Sequence, residues 1–185
     1  MKKLILASGS PRRKELLALI GLEFEVIASD ADESISCTLH PQEFVRTLAI
    51  RKAEAIAADH PHQVVLGADT IVEIDGMILG KPKERAQAEQ MLRLLSGRIH
   101  RVYTGVALLH EGKQESFTCC TKVKFIDIDD ELLEQYLDSG EAMDKAGAYG
   151  IQGRGAVLVE HLEGDYFNVM GLPVSNVYAR LRKYL

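Results

Sequence analysis

Ser8-Gly9-Ser10-Pro11-Arg12-Arg13 brings two hydroxyls, a glycine and two guanidiniums into six consecutive residues. A helix start offers unpaired N–H groups to an anion, and guanidiniums add permanently charged, bidentate donors. The chemistry such a cluster serves is phosphate binding. It is not a Walker A loop, because the Gly-Lys-Ser/Thr ending is missing. Gly67-Ala68-Asp69-Thr70 places a carboxylate directly after the apolar run Val64-Val65-Leu66. Strand ends are where α/β folds present reacting groups, and a carboxylate there takes a proton from water or shares a divalent cation. Gly80-Lys81-Pro82 sets a lysine between two backbone-special residues, so its ammonium is aimed, and a phosphate is the matching ligand. In Asp144-Lys145-Ala146-Gly147-Ala148-Tyr149-Gly150-Ile151-Gln152-Gly153-Arg154-Gly155, the glycines allow close backbone approach. Gln152 carries a donor and an acceptor on one side chain, which is what reading a base edge requires.

Each stretch also has an ordinary structural explanation: a capped helix, a turn-capping Asp, a solvated lysine, a plain loop. Asp30-Ala31-Asp32-Glu33-Ser34 resembles the Asp-x-Asp-x-Thr nucleophile motif of haloacid-dehalogenase phosphatases. We reject that reading, because Ala28-Ser29 interrupt the apolar run and no downstream acidic pair follows. These carboxylates remain candidates to share a metal with Asp69. His60-Pro61-His62 reads as surface. Arg51-Lys52 sit on an expected helix, where solvated lysines are the rule.

The elements that must position these groups follow from periodicity and punctuation. Leu4 to Ala7 reads as a strand. Ser10-Pro11 opens a helix with Leu16, Leu17 and Ile20 inward, closed by Gly21. Phe24 to Ala28 is a strand and Asp30 to His40 a polar loop. Pro41 opens a helix to about Asp59, with Phe44, Leu48, Ala49, Ala53 and Ile56 on its inner face. Val64 to Ala68 is a buried strand with Asp69-Thr70 at its end, followed by Ile71 to Ile74 and the turn Asp75-Gly76. Lys83 to Leu95 is helical, with Ala86, Met91, Leu94 and Leu95 inward. Arg101 to Leu109 and Glu115 to Ile128 form a hairpin turned near Glu111-Gly112. A helix over Asp129 to Leu137, a glycine loop over Gly147 to Gly155, a strand over Ala156 to Leu162 and a helix over Val174 to Tyr184 complete the chain. The alternation predicts an α/β fold with a mixed sheet.

The chain has 185 residues, of which 46% are hydrophobic and 26% charged. That length predicts one domain over 1–185, with room for two lobes. The composition is that of a folded globular chain and excludes a disordered one. No run approaches the ~18 apolar residues of a membrane span. Met1-Lys2-Lys3 begins like a signal peptide, but Leu4 to Ala7 is too short for its apolar region. The net charge of −5 argues against a general nucleic-acid surface and leaves room for a small phosphate ligand. Cys37, Cys119 and Cys120 form neither a disulfide framework nor a zinc set, which points to a reducing cytoplasm. The residues alone lead to a metal-assisted enzyme acting on a phosphorylated small molecule.

Ser8 to Arg13, Asp32-Glu33, Lys52-Ala53, Gly67 to Thr70, Gly80-Lys81-Pro82, Asp144 to Gly153 and Gly171-Leu172-Pro173 together resemble the signature of Maf-type nucleoside triphosphate pyrophosphatases, end to end. The resemblance implies a two-lobed α/β fold with a mixed sheet, flanking helices and a central cleft, similar to inosine triphosphate pyrophosphatases. It implies cleavage between the α- and β-phosphates, dependence on a divalent cation (Mg or Mn), a homodimer, and no membrane. By position, Asp69 would be the general base, and Glu33 with Asp69 would hold the metal. Arg13, Lys52 and Lys81 would bind the triphosphate, with Ser8 and Ser10 in the loop. The branch that acts on dTTP, UTP and some modified pyrimidine nucleotides is marked at the positions of Arg12, Thr70 and Gln152, and this chain carries that branch's residues. The alternatives are a 7-methyl-GTP pyrophosphatase, against which those three residues argue, and a non-catalytic nucleotide-binding regulator of septum formation, which would gain little from Asp69 beside phosphates.

Overall fold

Along the chain run β1 (Leu4–Ala7), α1 (Pro11–Leu19), β2 (Phe24–Val26), α2 (Pro41–Ala57), β3 (Val64–Ile74), β4 (Met77–Leu79), α3 (Arg85–Leu95), β5 (Ile99–His110) and β6 (Lys113–Phe125). Then come α4 (Asp130–Asp138), β7 (Val159–Glu163), α5 (Tyr166–Met170) and α6 (Val174–Leu181). This computed structural model describes residues 3–32, 34 and 39–184. Seven strands form one mixed sheet in the order β2-β1-β3-β5-β6-β7, with β4 paired to β3. β1 is parallel to both β2 and β3, while β3–β4 and β6–β7 are antiparallel. This is the mixed α/β arrangement that the alternation of elements predicts.

Contacts divide the chain into two compact units. One holds the residues up to 70, 104–119 and those from 171 on; the other holds 71–103 and 120–170. In the first, the β1 residues Leu4 to Ala7 are all buried, as expected of a strand covered on both faces. Pro11 stands in the first turn of α1, where its missing N–H costs nothing. Ser10 takes the N-cap position, but its hydroxyl makes no capping bond. Gly21, at φ +73°, ends the helix.

Two glycines seat α2. A Cβ at Gly67 would lie 2.3 Å from the Ala49 carbonyl oxygen, and one at Gly105 would lie 2.3 Å from that of Val45. The helix backbone therefore rests directly on β3 and β5. At the Gly67 contact the facing residues are small, Ala49 and Ala53, and Val45 and Leu48 complete the buried face. Phe44, expected inward, stands half-buried on the flank.

The second unit builds its core from α3, α4 and the neighbouring strands, with Leu92, Leu95, Val123, Phe125, Leu133 and Tyr136 among the buried side chains. The inner face of α3 is Ala88, Met91, Leu92 and Leu95; the expected Leu94 packs at its edge, half-buried, while Ala86 is exposed. Asp129 caps α4 by accepting from the Leu132 N–H at 2.8 Å. A 3-10 turn, Glu141–Asp144, precedes the expected glycine loop, Gly147 to Gly155, which is itself wound into 3-10 turns at its two ends, Ala146–Ala148 and Gly153–Leu158. Left-handed backbone at Gly147 and Gly153 permits this tight winding, and the last turn delays β7 to Val159. The short helix α5 was not expected; Asp165 starts it by accepting from the Phe167 N–H at 2.8 Å.

Both expected hairpin turns are present. Asp75-Gly76 and Glu111-Gly112 have positive φ at each residue, the geometry of the primed turns that match strand twist. Among the described residues, no helix is long and apolar enough to cross a membrane. Cys119 is half-buried and Cys120 exposed on β6, and Cys37 lies outside the described residues.

Candidate active site

β3 does not stop at Ala68. It runs unbroken from Val64 to Ile74 and carries Asp69 and Thr70 in its middle. Its parallel partner β1 does stop: Ala7, paired with Gly67, is the last residue in that register. The expectation that Asp69 ends its own strand is therefore corrected: it lies within β3, beside the point just past the carboxyl end of β1.

Successive residues on a strand face opposite sides. Val65 packs with Ala49 and Ala53 of α2, and Gly67 touches the same helix, so Asp69 faces α2 as well. There its Oδ1 meets the Lys52 Nζ at 2.6 Å, with the two side chains only 13% and 12% exposed. Lys52 is therefore not a solvated helix lysine. It lies between Ala49 and Ala53, the residues that meet Gly67, and that contact brings its ammonium within reach of β3. A pair so sheltered from water is weakly screened, so removing one partner strands the other charge.

Thr70 leaves on the other face. Its Oγ1 accepts from Arg13 Nη2 at 3.0 Å and lies 2.9 Å from the buried Thr104 hydroxyl. Arg13 is 9% exposed and also donates from Nε to the Gly171 carbonyl at 2.9 Å and from Nη1 to the Ser8 hydroxyl at 3.1 Å. Ser8 accepts in turn from the Ser10 N–H at 3.2 Å, and Arg12 stands half-buried beside this group. Ser8, Ser10, Arg13 and Thr70 are thus one hydrogen-bonded network, anchored by Gly171 and Thr104. Thr104 carried no sequence signal, since a lone Thr in a β-rich run is ordinary strand composition.

The acidic loop is tied to α2 as well. Arg51 Nη1 donates to the carbonyls of Asp32 and Ser34 at 3.2 and 3.0 Å. The Ser34 hydroxyl and N–H hold the Asp32 carboxyl below the ordinary aspartate range, with a smaller contribution from Arg51. Glu33 lies outside the described residues. Among the described residues, no three His, Cys, Asp or Glu side chains gather as a metal cage. Asp69 can offer one carboxylate to a hard cation. That suits Mg²⁺, which usually takes one or two carboxylates and completes its shell with water and substrate phosphates.

In the second unit, the Gly147 N–H donates to the Gly80 carbonyl at 3.1 Å, which ties the turn bearing Lys81 to the glycine segment bearing Gln152. Lys81 and Gln152 are both exposed. Lys145 is mostly buried. Its ammonium donates to the Glu141 carbonyl at 2.7 Å and to Asp144 Oδ1 at 2.6 Å, and its stem fills the space where a Gly150 Cβ would stand. Tyr149 is buried behind the segment, 2.7 Å from His100 Nε2, with Phe125 edge-on to both rings.

A family model described as Maf-like protein matches residues 3–184. The chain belongs to the Maf family. A protein of Bacillus cytotoxicus named dTTP/UTP pyrophosphatase is 50% identical to this Maf chain, covering all of it and 96% of the relative. A Bacillus mycoides protein of the same name matches equally well, and one from Bacillus cereus is 48% identical over all of this chain and 91% of its own length. Among solved structures, a HAM1 protein from Coxiella burnetii superposes with a TM-score of 0.54 at 15% identity, covering 99% of this Maf chain and 100% of that one. The Staphylococcus aureus Ham1 protein gives 0.50 at 20% identity over 68% and 73%. These two likenesses show a shared fold.

Proposed function

We propose that this Maf chain hydrolyses dTTP and UTP to the nucleoside monophosphate and pyrophosphate. The observation that carries the reading is the sheltered Lys52–Asp69 pair at the carboxyl end of β1, in a chain half identical to proteins named for that activity. Hydrolysis joins a water oxygen to phosphorus and breaks the bridge between the α- and β-phosphates. The water proton goes to a base and the bridging oxygen leaves with pyrophosphate. Asp69 is the carboxylate assigned to take that proton, and Lys52 fixes its direction at 2.6 Å. Phosphoanhydride cleavage otherwise needs positioning and charge neutralisation more than covalent chemistry.

A triphosphate brings about four negative charges, more than a helix start neutralises. Lys52, Arg13 and Lys81 are assigned to meet them, with Ser8 and Ser10 as hydroxyl donors. Arg13 has a second duty, since its bonds to Ser8, Thr70 and Gly171 hold the loop's shape. Asp69 and Glu33 would hold a divalent cation shared with the substrate, which when bound supplies charge neutralisation on the phosphates. Gln152 is assigned to the base. Thymine and uracil present carbonyl acceptors beside an N–H donor, and a primary amide offers the complement. Arg12 would donate to a base carbonyl, and Thr70 would act through Arg13, which it touches.

The test is turnover of dTTP, UTP, CTP, GTP and 7-methyl-GTP with Mg²⁺ or Mn²⁺, with products identified. We expect dTTP and UTP to lead, pyrophosphate as the co-product, and loss of activity with a chelator that either ion restores. A preference for 7-methyl-GTP or CTP would overturn the assignments of Arg12, Thr70 and Gln152. Release of orthophosphate instead of pyrophosphate would overturn the bond assignment, and full turnover in excess chelator would remove the metal.

A further inference from the structure

Gln152 is exposed, and no hydrogen bond fixes its amide among the described residues. The backbone on either side is fixed closely. Before it, the Gly150 N–H donates to the Tyr136 hydroxyl at 3.2 Å. After it, the Arg154 N–H donates to both carboxylate oxygens of Glu141 at 2.9 and 3.1 Å, and the Gly155 N–H donates to Oε2 at 3.3 Å. The loop is moulded around that carboxylate. Gly153 has φ +68°, and a Cβ there would lie 2.8 Å from Glu141 Oε1. The ends of the loop touch, since a Cβ at Gly155 would lie 2.1 Å from the Gly150 carbonyl oxygen. Glu141 is itself steadied by Lys145, which bonds its carbonyl.

We propose that Glu141 is the positioning residue for base selection: its carboxylate grips the Arg154 and Gly155 N–H groups and thereby fixes the stance of Gln152. The proposal rests on the reading of Gln152 as the group that recognises the base. A primary amide is nearly symmetric in shape, and turning it over exchanges donor for acceptor. Uracil and cytosine differ by that same exchange, a carbonyl against an amino group. On a fixed backbone, one amide orientation pairs fully and the other leaves polar groups unpaired, which is where discrimination comes from. On a loose backbone, either orientation finds an acceptable approach, and the two bases become alike. Hydrogen bonds to a carboxylate are about twice as strong as neutral ones, so one side chain suffices to hold two amides in place.

The experiment compares kcat/KM for UTP and CTP in the wild type, Glu141→Ala, Glu141→Gln, Gln152→Ala and the double variant Glu141→Ala/Gln152→Ala, with amide hydrogen exchange at Arg154 and Gly155. We expect Glu141→Ala to cut the UTP:CTP preference about tenfold or more, with kcat for UTP changed far less than KM. Glu141→Gln keeps one accepting oxygen and should recover part of the preference. Exchange at the two amides should rise, and Glu141→Ala should change selectivity no further once Gln152 is gone. If Gln152→Ala abolishes the preference and folded Glu141→Ala or Glu141→Gln retains it in full, Glu141 is overturned and the reading of Gln152 stands. If Gln152→Ala also keeps the preference, the reading of Gln152 and the proposal built on it both fall. Should Glu141→Ala not fold, Glu141→Gln carries the same decision.

Discussion

The two units hold their polar groups in opposite ways. In the first, Asp69, Lys52 and Arg13 are charged side chains carried by β3, α2 and α1, whose backbones are already satisfied by regular hydrogen bonds. In the second, the irregular backbone between Gly150 and Gly155 is held by the side chains of Tyr136 and Glu141. Regular elements aim a reacting group within narrow limits, and a moulded loop presents a surface. On the proposed assignments, the proton acceptor Asp69 and the base-reading Gln152 stand on different kinds of support, while Arg12 and Thr70 bring a share of base selection into the first unit.

The sharpest way to break this separation is Asp69→Asn. It keeps the shape and removes the proposed base, so kcat for dTTP and UTP should fall about 100- to 10,000-fold with the UTP:CTP ratio unchanged. A ratio that moves with the rate would show the two supports to be one.

Acid should weaken the second unit selectively. His100 is buried, its Nδ1 has no hydrogen-bond partner among the described residues, and burial lowers its pKa from 6.5 to about 4. The unfolded chain therefore binds a proton that the folded chain refuses. Stability is complete above about pH 6.5 and falls as pH drops towards 4, by up to about 3 kcal/mol. Urea unfolding across that range measures it, and His100→Phe should flatten the slope. An unchanged slope would remove His100 from the account.

The smallest effect expected is that of Gly67→Ala. The added methyl would stand 2.3 Å from the Ala49 carbonyl and 2.8 Å from the Ala53 nitrogen, both backbone atoms that no rotamer change can move. α2 must shift, at a cost of about 1–3 kcal/mol. Lys52 moves with it, so Tm and kcat should drop together while base preference stays. Wild-type Tm would show that α2 does not depend on that contact.

Much of this was legible in the sequence because it is local. Pro11, Gly21, the Glu111-Gly112 turn and the Asp129 cap are decided by neighbours within a few residues. That Asp69 follows a buried strand segment was legible too, through the apolar run Val64 to Ala68. The continuation of β3 was not, because β4 and β5 supply pairing that β1 no longer gives, and polar Asp69-Thr70 read like an ending. Lys52 read by itself as a solvated helix lysine. Its pairing with Asp69 depends on Gly67 admitting α2, a contact between residues far apart in the chain. Glu141 gave no signal, since a glutamate after Ser-Gly is ordinary and its partners are main-chain amides that sequence does not distinguish.

A carboxylate that grips main-chain amides is indifferent to the side chains those amides carry. Positions 152 and 154 can change identity without disturbing the Glu141 bonds that shape their loop. Mutations there alter what the surface offers a ligand while leaving folding almost untouched. Tolerance of change and definition of shape thus meet in one short segment, because its shape is held through the main chain.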